Sequence, residues 1–187
     1  SSHSPVLPKP NSVAFNTVID AYARLGRPDK ARELLTEMRS FVPLPDACAF
    51  NGVIKAYANA GLPEKATEIV TQMTALGALP TEPTYLNVLR GWTRLRSMES
   101  ALRAEELLEQ YKSQLSITGS QVSLTQAYNT LINAFTAKKK KGKGCIDAKK
   151  ADELLRKMTT GEDEAPPPSV VSFNTVIAGW GRERNAA

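Results

Sequence analysis

One stretch of this chain is written twice. NSVAFNTVIDAYARLGRPDKARELLTEM, from Asn11, aligns without a gap on DACAFNGVIKAYANAGLPEKATEIVTQM, from Asp46. Phe15/Phe50, Asn16/Asn51, Tyr22/Tyr57, Gly26/Gly61, Pro28/Pro63, Ala31/Ala66, Met38/Met73 and Pro45/Pro80 all stand 35 residues apart. So many coincident positions define a structural period, and a period of this length marks a stacked repeat architecture. The motif returns as TYLNVLRGW, AYNTLINAF and SFNTVIAGW, which open three further units.

Each unit reads as two helices. In the first, apolar residues recur at i, i+3, i+4 and i+7: Phe15, Val18, Ile19, Tyr22, and likewise from Phe50, Tyr85, Tyr128 and Phe173 (with Val176, Ile177 and Trp180). That spacing draws an apolar stripe down one side of a helix. A small residue sits inside each of these helices (Ala21, Ala56, Gly91, Ala134, Gly179) and suits close approach of a neighbour. Second helices follow from Ala31, Leu34, Leu35, Met38; Ala66, Ile69, Val70, Met73; Ala104, Leu107, Leu108, Tyr111; and Ala151, Leu154, Leu155, Met158. LGRPD and AGLPE between them are stop-and-start signals, a glycine to end one helix and a proline to begin the next. A turn this short makes an antiparallel hairpin, and one hairpin alone cannot bury both stripes. Hairpins must therefore stack.

The expected fold is all-α, a right-handed α-solenoid of about four and a half helix-turn-helix repeats. Its expected divisions are an extended segment 1–11 and repeats 12–46, 47–81, 82–124 and 125–169, then a lone first helix at 170–187. The shift of Ala104 places three extra residues between the helices of the third repeat, around Ser97 to Ser100. The fourth carries a lysine-rich inter-helix insertion at 138–150 and an acidic, proline-rich connector at 161–169, which cannot be helical through Pro166–Pro168. Gly179 and Gly181 weaken the last helix, whose end should fray. The chain starts at Ser1 rather than Met, so a processed or trimmed piece is expected.

Charge says less than its total suggests. The formal net charge is +5, and the five lysines between Lys138 and Lys143 account for all of it. That run reads first as a solvated loop; electrostatic support of polyanion binding is the second reading. What matters is where the other charges sit. On a helical wheel, Val13, Asn16, Asp20 and Arg24 form a flank that the hairpin core does not use. Equivalent flanks are Cys48, Asn51, Lys55, Asn59; Pro83, Leu86, Arg90, Arg94; Gln126, Asn129, Asn133, Ala137; and Val171, Asn174, Ala178, Arg182. Stacking should align them in a row holding Arg24, Lys55, Arg90, Arg94 and Arg182 against one acid, Asp20. Asparagine recurs at one level. Its amide donates and accepts, as reading a base edge requires, while the cations suit a phosphate backbone. The competing reading has the asparagines bonded to nearby backbone and the arginines merely solvated.

Units of 35 residues opening FNTVI or YNTLI, with A-x-x-L-L-x-x-M in the second helix, resemble pentatricopeptide repeats over residues 12–183. The tetratricopeptide signature W-x-x-L-G-x-x-Y is absent. The resemblance implies single-stranded RNA binding at one nucleotide per repeat, in mitochondria or chloroplasts. It implies that the second residue of a repeat wedges against a base while the fifth and the last read its edge. Carried onto this chain, it assigns wedging to Val13, Cys48 and Val171. It assigns reading to Asn16 with Asp46, Asn51 with Thr81, Asn129 with Ser169 (beside Gln126 as wedge), and Asn174, for which no closing residue is present. The third repeat departs, with Pro83 and Leu86 in those places. The implied target is 5′-U-pyrimidine-any-pyrimidine-3′, with Arg24, Lys55, Arg90, Arg94 and Arg182 contacting phosphate. The alternative is a protein-interaction scaffold within an organellar ribonucleoprotein or ribosome-associated assembly, which the degenerate third repeat favours.

Catalysis is not expected. The single histidine, His3, leaves no histidine-based triad or metal cluster, and no cofactor motif is present. Cys48 and Cys145 lack ligand-spaced partners; two reduced thiols are expected, with a disulfide between them left open. No run approaches the roughly 18 apolar residues of a membrane span.

Overall fold

The structure is a computed structural model and describes residues 10–42, 44–118, 124–139 and 144–184. Among them are nine α-helices: α1 (Ser12–Arg24), α2 (Pro28–Met38), α3 (Ala47–Asn59), α4 (Pro63–Ala75), α5 (Glu82–Arg94), α6 (Met98–Thr118), α7 (Thr125–Thr136), α8 (Ala148–Thr160) and α9 (Val170–Arg184). The fold is an all-α repeat solenoid, and the chain divides into two compact units, residues 1–84 and 85–187.

In the first unit, α3 packs against α1, α2 and α4. Its Phe50, Val53, Ile54, Ala56 and Tyr57 are buried, as are Ile19, Ala31, Met38, Ile69 and Met73 on the helices it packs against. Each large apolar side chain so buried contributes about 1.5–3 kcal/mol. Close approach depends on Gly52, where an added Cβ would come within 2.6 Å of Ile19 Cγ2. Both inter-helix turns are alike. Gly26 (φ 66°) and Gly61 (φ 75°) are left-handed. The following N–H groups of Arg27 and Leu62 donate to the carbonyls of Tyr22 and Tyr57, each at 3.0 Å. Pro28 and Pro63 then occupy first helical positions, where a missing N–H costs nothing. Between α2 and α3, Asp29 accepts from Tyr57 Oη at 3.0 Å.

In the second unit, α7 packs against α6, α8 and α9, and α8 also meets α9. Tyr85 of α5 stacks on Tyr111 of α6 with ring centroids 4.3 Å apart. Lys150 of α8 pairs with Glu105 of α6 at 2.7 Å. The fourth repeat's inter-helix segment folds back as a short antiparallel bridge, Lys138 to Cys145. The Cys145 N–H donates to Glu183 of α9 at 3.2 Å, and Asp147 caps α8. Residues 140–143, most of the lysine run, lie outside the described residues, as does His3. Among the described residues, no helix is long and apolar enough to cross a membrane, and no group of histidine, cysteine and acidic residues could hold a metal ion. Both cysteines are free thiols, Cys48 exposed and Cys145 buried.

Three expectations are corrected. The third repeat has no extra residues between its helices: α5 begins and ends 35 residues after α3, and Met98 opens α6 35 residues after Pro63. Arg96 takes the place of the turn glycines at φ 51°, and Ala101 takes the buried place of Ala31 and Ala66. The extra length lies in α6 itself, which runs 21 residues. Secondly, Gly179 and Gly181 do not interrupt α9, which is continuous through Arg184, while residues 185–187, where its end is expected to fray, lie outside the described residues. Gly179 is buried where an added Cβ would sit 2.6 Å from Thr136 Cγ2, so its smallness seats α9 on α7. Thirdly, Val18, Phe173, Ile177 and Trp180 belong to apolar stripes but are exposed, because no described helix covers those faces.

Candidate functional site

The closing residue of a repeat is also the residue that starts the next repeat's first helix. Asp46 caps α3, accepting the Ala49 N–H at 2.9 Å. Thr81 and Ser169 stand at the same point before α5 and α9, and the N–H of each donates to the hydroxyl three residues on, Thr84 at 2.9 Å and Ser172 at 3.0 Å. Aspartate, threonine and serine are the side chains that satisfy exposed helix-start N–H groups. The capping requirement thus places an oxygen-bearing side chain at the mouth of each inter-repeat step.

The flank asparagines meet these caps. Asn16 Nδ2 donates to both carboxylate oxygens of Asp46, at 3.3 and 3.2 Å. Asn51 Nδ2 donates to Thr81 Oγ1 at 3.3 Å, and Asn129 Nδ2 to Ser169 Oγ at 3.4 Å. The connector therefore still delivers Ser169 to Asn129. The structure also brings in two residues that sequence reasoning missed. Thr84 donates to Asn51 Oδ1 at 2.7 Å, and Ser172 donates to Asn129 Oδ1 at 2.6 Å. The available signal was a hydroxyl three residues after a capping residue, a variant of the capping box. In the first repeat that place is Ala49, and Asn16 Oδ1 is buried with no hydrogen-bond partner among the described residues. Asn174 is exposed.

Val13 (71% exposed), Cys48 and Val171 (62% exposed) stand one turn before their asparagines on the same side of each helix. Leu86, in the asparagine place of the third repeat, is buried and offers no amide, while Pro83 in the wedge place is exposed. In the second unit, Val171, Asn174, Ala178 and Arg182 of α9 face Asn133 of α7 across an open slot of about 370 Å³.

The cations are less free than their exposure implies. Asp20 Oδ2 pairs with Arg24 at 2.6 Å, and Asp20 Oδ1 pairs with Lys55 of the next repeat at 3.3 Å. Burial pushes the Asp20 carboxyl up, but hydrogen bonds from Arg24 and Lys55 outweigh it and hold it below the ordinary carboxylate value. Arg182 Nη1 donates to the Thr136 carbonyl at 2.7 Å, where α7 ends. Arg90 is exposed. Within the second unit, Arg94, Arg96, Lys138 and Arg182 line a cavity of about 610 Å³ together with Asn133, and among the described residues no acid lines it. Arg96 and Lys138 were not anticipated there; both reach it from inter-helix turns.

The repeat and the fold have counterparts among known proteins. Models of the PPR repeat match residues 8–39 and 48–77. The fold is similar to the crystal structure of PPR10 in complex with an 18-nucleotide psaJ RNA element, at 23% identity over 96% of this chain and 24% of that chain, with a TM-score of 0.66. It is also similar to PPR10 from maize, at 24% identity over 90% of this chain and 22% of that chain, with a TM-score of 0.61. The PPR domain of Arabidopsis thaliana protein-only RNase P 1 in complex with tRNA is 19% identical over 94% of this chain and 83% of that domain, with a TM-score of 0.63. The chain thus spans about a quarter of PPR10. A search of curated protein sequences finds no match.

Proposed function

Because this chain is a pentatricopeptide-repeat protein, we propose that it is a single-stranded RNA-binding module of organellar RNA metabolism that reads one base per repeat with a pyrimidine bias. The observation that carries the reading is the threefold pairing Asn16–Asp46, Asn51–Thr81 and Asn129–Ser169. Each pair sets an amide N–H and an oxygen acceptor side by side, beside an exposed residue one turn away against which a base can stack. PPR10 and the RNase P domain were both solved with RNA bound, which supports the class of ligand. Arg24, Lys55, Arg90, Arg94 and Arg182 would meet the phosphates, with Asp20 releasing its two cations as the chain of phosphates replaces it.

Stacking is worth about 1–3 kcal/mol per base, so three competent repeats supply about 3–9 kcal/mol before ordering costs. Dissociation constants from about millimolar to micromolar follow. Fluorescence anisotropy with short RNAs tests the reading: pyrimidine-rich single strands should bind better than poly(A) or a hairpin, and Asn16→Ala should weaken that preference. Equal binding of all three, unchanged by Asn16→Ala, would refute it. A second reading, a protein-interaction scaffold, is favoured by the exposed Phe173, Ile177 and Trp180 face of α9. A protein partner retained after RNase treatment would support it, and loss of every partner would count against it.

A further inference from the structure

The same asparagine is held in two different ways in this chain, and the difference follows the charge of the residue it faces. Where the closing residue is Asp46, its carboxylate alone sets the amide: both oxygens attract Asn16 Nδ2, and turning the amide over would bring Oδ1 against the negative charge. Where the closing residue is a neutral hydroxyl, nothing of that kind fixes which end of the amide faces it, since a hydroxyl both donates and accepts.

A second hydroxyl resolves the ambiguity. Thr84 Oγ1 accepts the Thr81 N–H with one lone pair and lies 2.7 Å from Asn51 Oδ1, the length of an O–H···O bond, whereas Thr81 Oγ1 stands 3.3 Å from Asn51 Nδ2, so the Thr84 proton goes to Asn51 Oδ1. In the 3.1 Å contact between Thr81 and Thr84 the proton therefore belongs to Thr81. The side chains close a one-way ring: Thr84 to Asn51, Asn51 to Thr81, Thr81 back to Thr84. The fourth repeat has the same side-chain ring with Ser172, Asn129 and Ser169, its two hydroxyls 3.1 Å apart, and there Ser169 Oγ also accepts the Ser172 N–H. Thr84 and Ser172 are fully buried, so water does not compete for their protons. The first repeat, which has the carboxylate, has Ala49 at this place.

We propose that Thr84 and Ser172 are specificity-positioning residues: each fixes the orientation of the base-facing asparagine wherever the closing residue carries no charge. The inference rests on the RNA-reading assignment above but makes a claim about the free protein too. The ring uses the Thr81 and Ser169 protons inward, so each pair shows an RNA base one remaining Nδ2 proton and an oxygen lone pair, in a fixed order. An amide free to turn over would present donor and acceptor alternately and would discriminate less.

The test has two arms on the full chain. In the free protein, ¹⁵N relaxation of the asparagine side-chain amides should show Asn51 and Asn129 as ordered as the backbone. Thr84→Val should mobilise Asn51 alone and Ser172→Ala Asn129 alone. Thr84→Ser should retain order, and Thr81→Asp in the Thr84→Val background should restore it. With RNAs differing at one nucleotide, Thr84→Val should lower the affinity ratio at one position by about three- to tenfold, the size of one net hydrogen bond. Binding to the remaining positions should be unchanged, and Thr84→Ser should rescue the ratio, which a merely structural loss would not allow. An Asn51 amide equally ordered in Thr84→Val overturns the proposal, as does a mobilised amide with unaltered base preference. If the unmodified chain binds no single-stranded RNA, the proposed function falls, and the relaxation arm alone decides whether the hydroxyls orient the amides.

Discussion

Asn16 and Asn51 occupy the same place in successive repeats, yet replacing each with alanine should have different consequences for stability. Asn51 takes part in two side-chain hydrogen bonds, to Thr81 and from Thr84, each worth about 0.5–1.5 kcal/mol net. Its removal also leaves the buried Thr84 hydroxyl without its acceptor. Asn51→Ala should therefore cost about 1–3 kcal/mol. Asn16 donates to Asp46, but its Oδ1 is buried and unpaired, a penalty of about 1–3 kcal/mol already present in the folded protein. Asn16→Ala loses the first and relieves the second, so its net effect should lie within about 1 kcal/mol of zero. The helix-propensity gain of alanine over asparagine is common to both variants and cancels in the comparison. Urea and thermal unfolding followed by circular dichroism would give the two differences. At about 2–4 °C per kcal/mol for a chain this long, Asn51→Ala should lower the midpoint clearly while Asn16→Ala barely moves it. Equal losses in the two variants would refute the claim that these amides are held differently.

Three further outcomes are expected. Gly179→Ala should destabilise by about 1–3 kcal/mol, because the new Cβ overlaps Thr136 Cγ2 at 2.6 Å and Thr136 is buried, whereas Gly181→Ala, with open space around it, should not; equal thermal shifts would contradict the packing. Arg96→Gly should stabilise by about 0.5–1 kcal/mol by relieving a left-handed φ of 51°, while weakening RNA binding through loss of a cation from the second unit's cavity; a fall in midpoint would contradict the first half. Asp20 is held below its ordinary pKa, so its contribution is present above the unfolded value near about 4 and is lost as pH falls through the folded value. Asp20→Asn should flatten the acid limb of a stability–pH profile measured at low salt, and an unchanged limb would show that the Arg24 and Lys55 pairs contribute nothing.

The repeat and its helices were legible because burial imposes a period on side chains, and Phe15, Ile19, Phe50 and Ile54 obey it. The phase of α6 was not. Ala104, Leu107, Leu108 and Tyr111 are buried in α6 but carry the second-helix spacing three residues out of the 35-residue frame, whose anchor, Ala101, is one small residue with nothing about it to recommend it. The clue was Arg96, which has to adopt a glycine's conformation because the 35-residue frame continues through it. Exposure of Val18, Phe173, Ile177 and Trp180 could not be read from spacing, since a stripe says which side is apolar and not whether a neighbour covers it. At the candidate site, the asparagine pairs came from the family resemblance. Their dependence on Thr84 and Ser172 did not, because it lies in hydrogen-bond direction, which residue type alone leaves open.

The central claim is that each asparagine and its closing residue address one base. Selection from a randomised single-stranded RNA pool, run in parallel on the unmodified chain and on Asp46→Asn, tests it most directly. Asparagine still caps α3, so the fold is kept while the charge facing Asn16 is removed. The enriched sequences should differ at a single nucleotide position and agree elsewhere. A preference that shifts at several positions, or at none while affinity persists, would contradict base reading by these pairs.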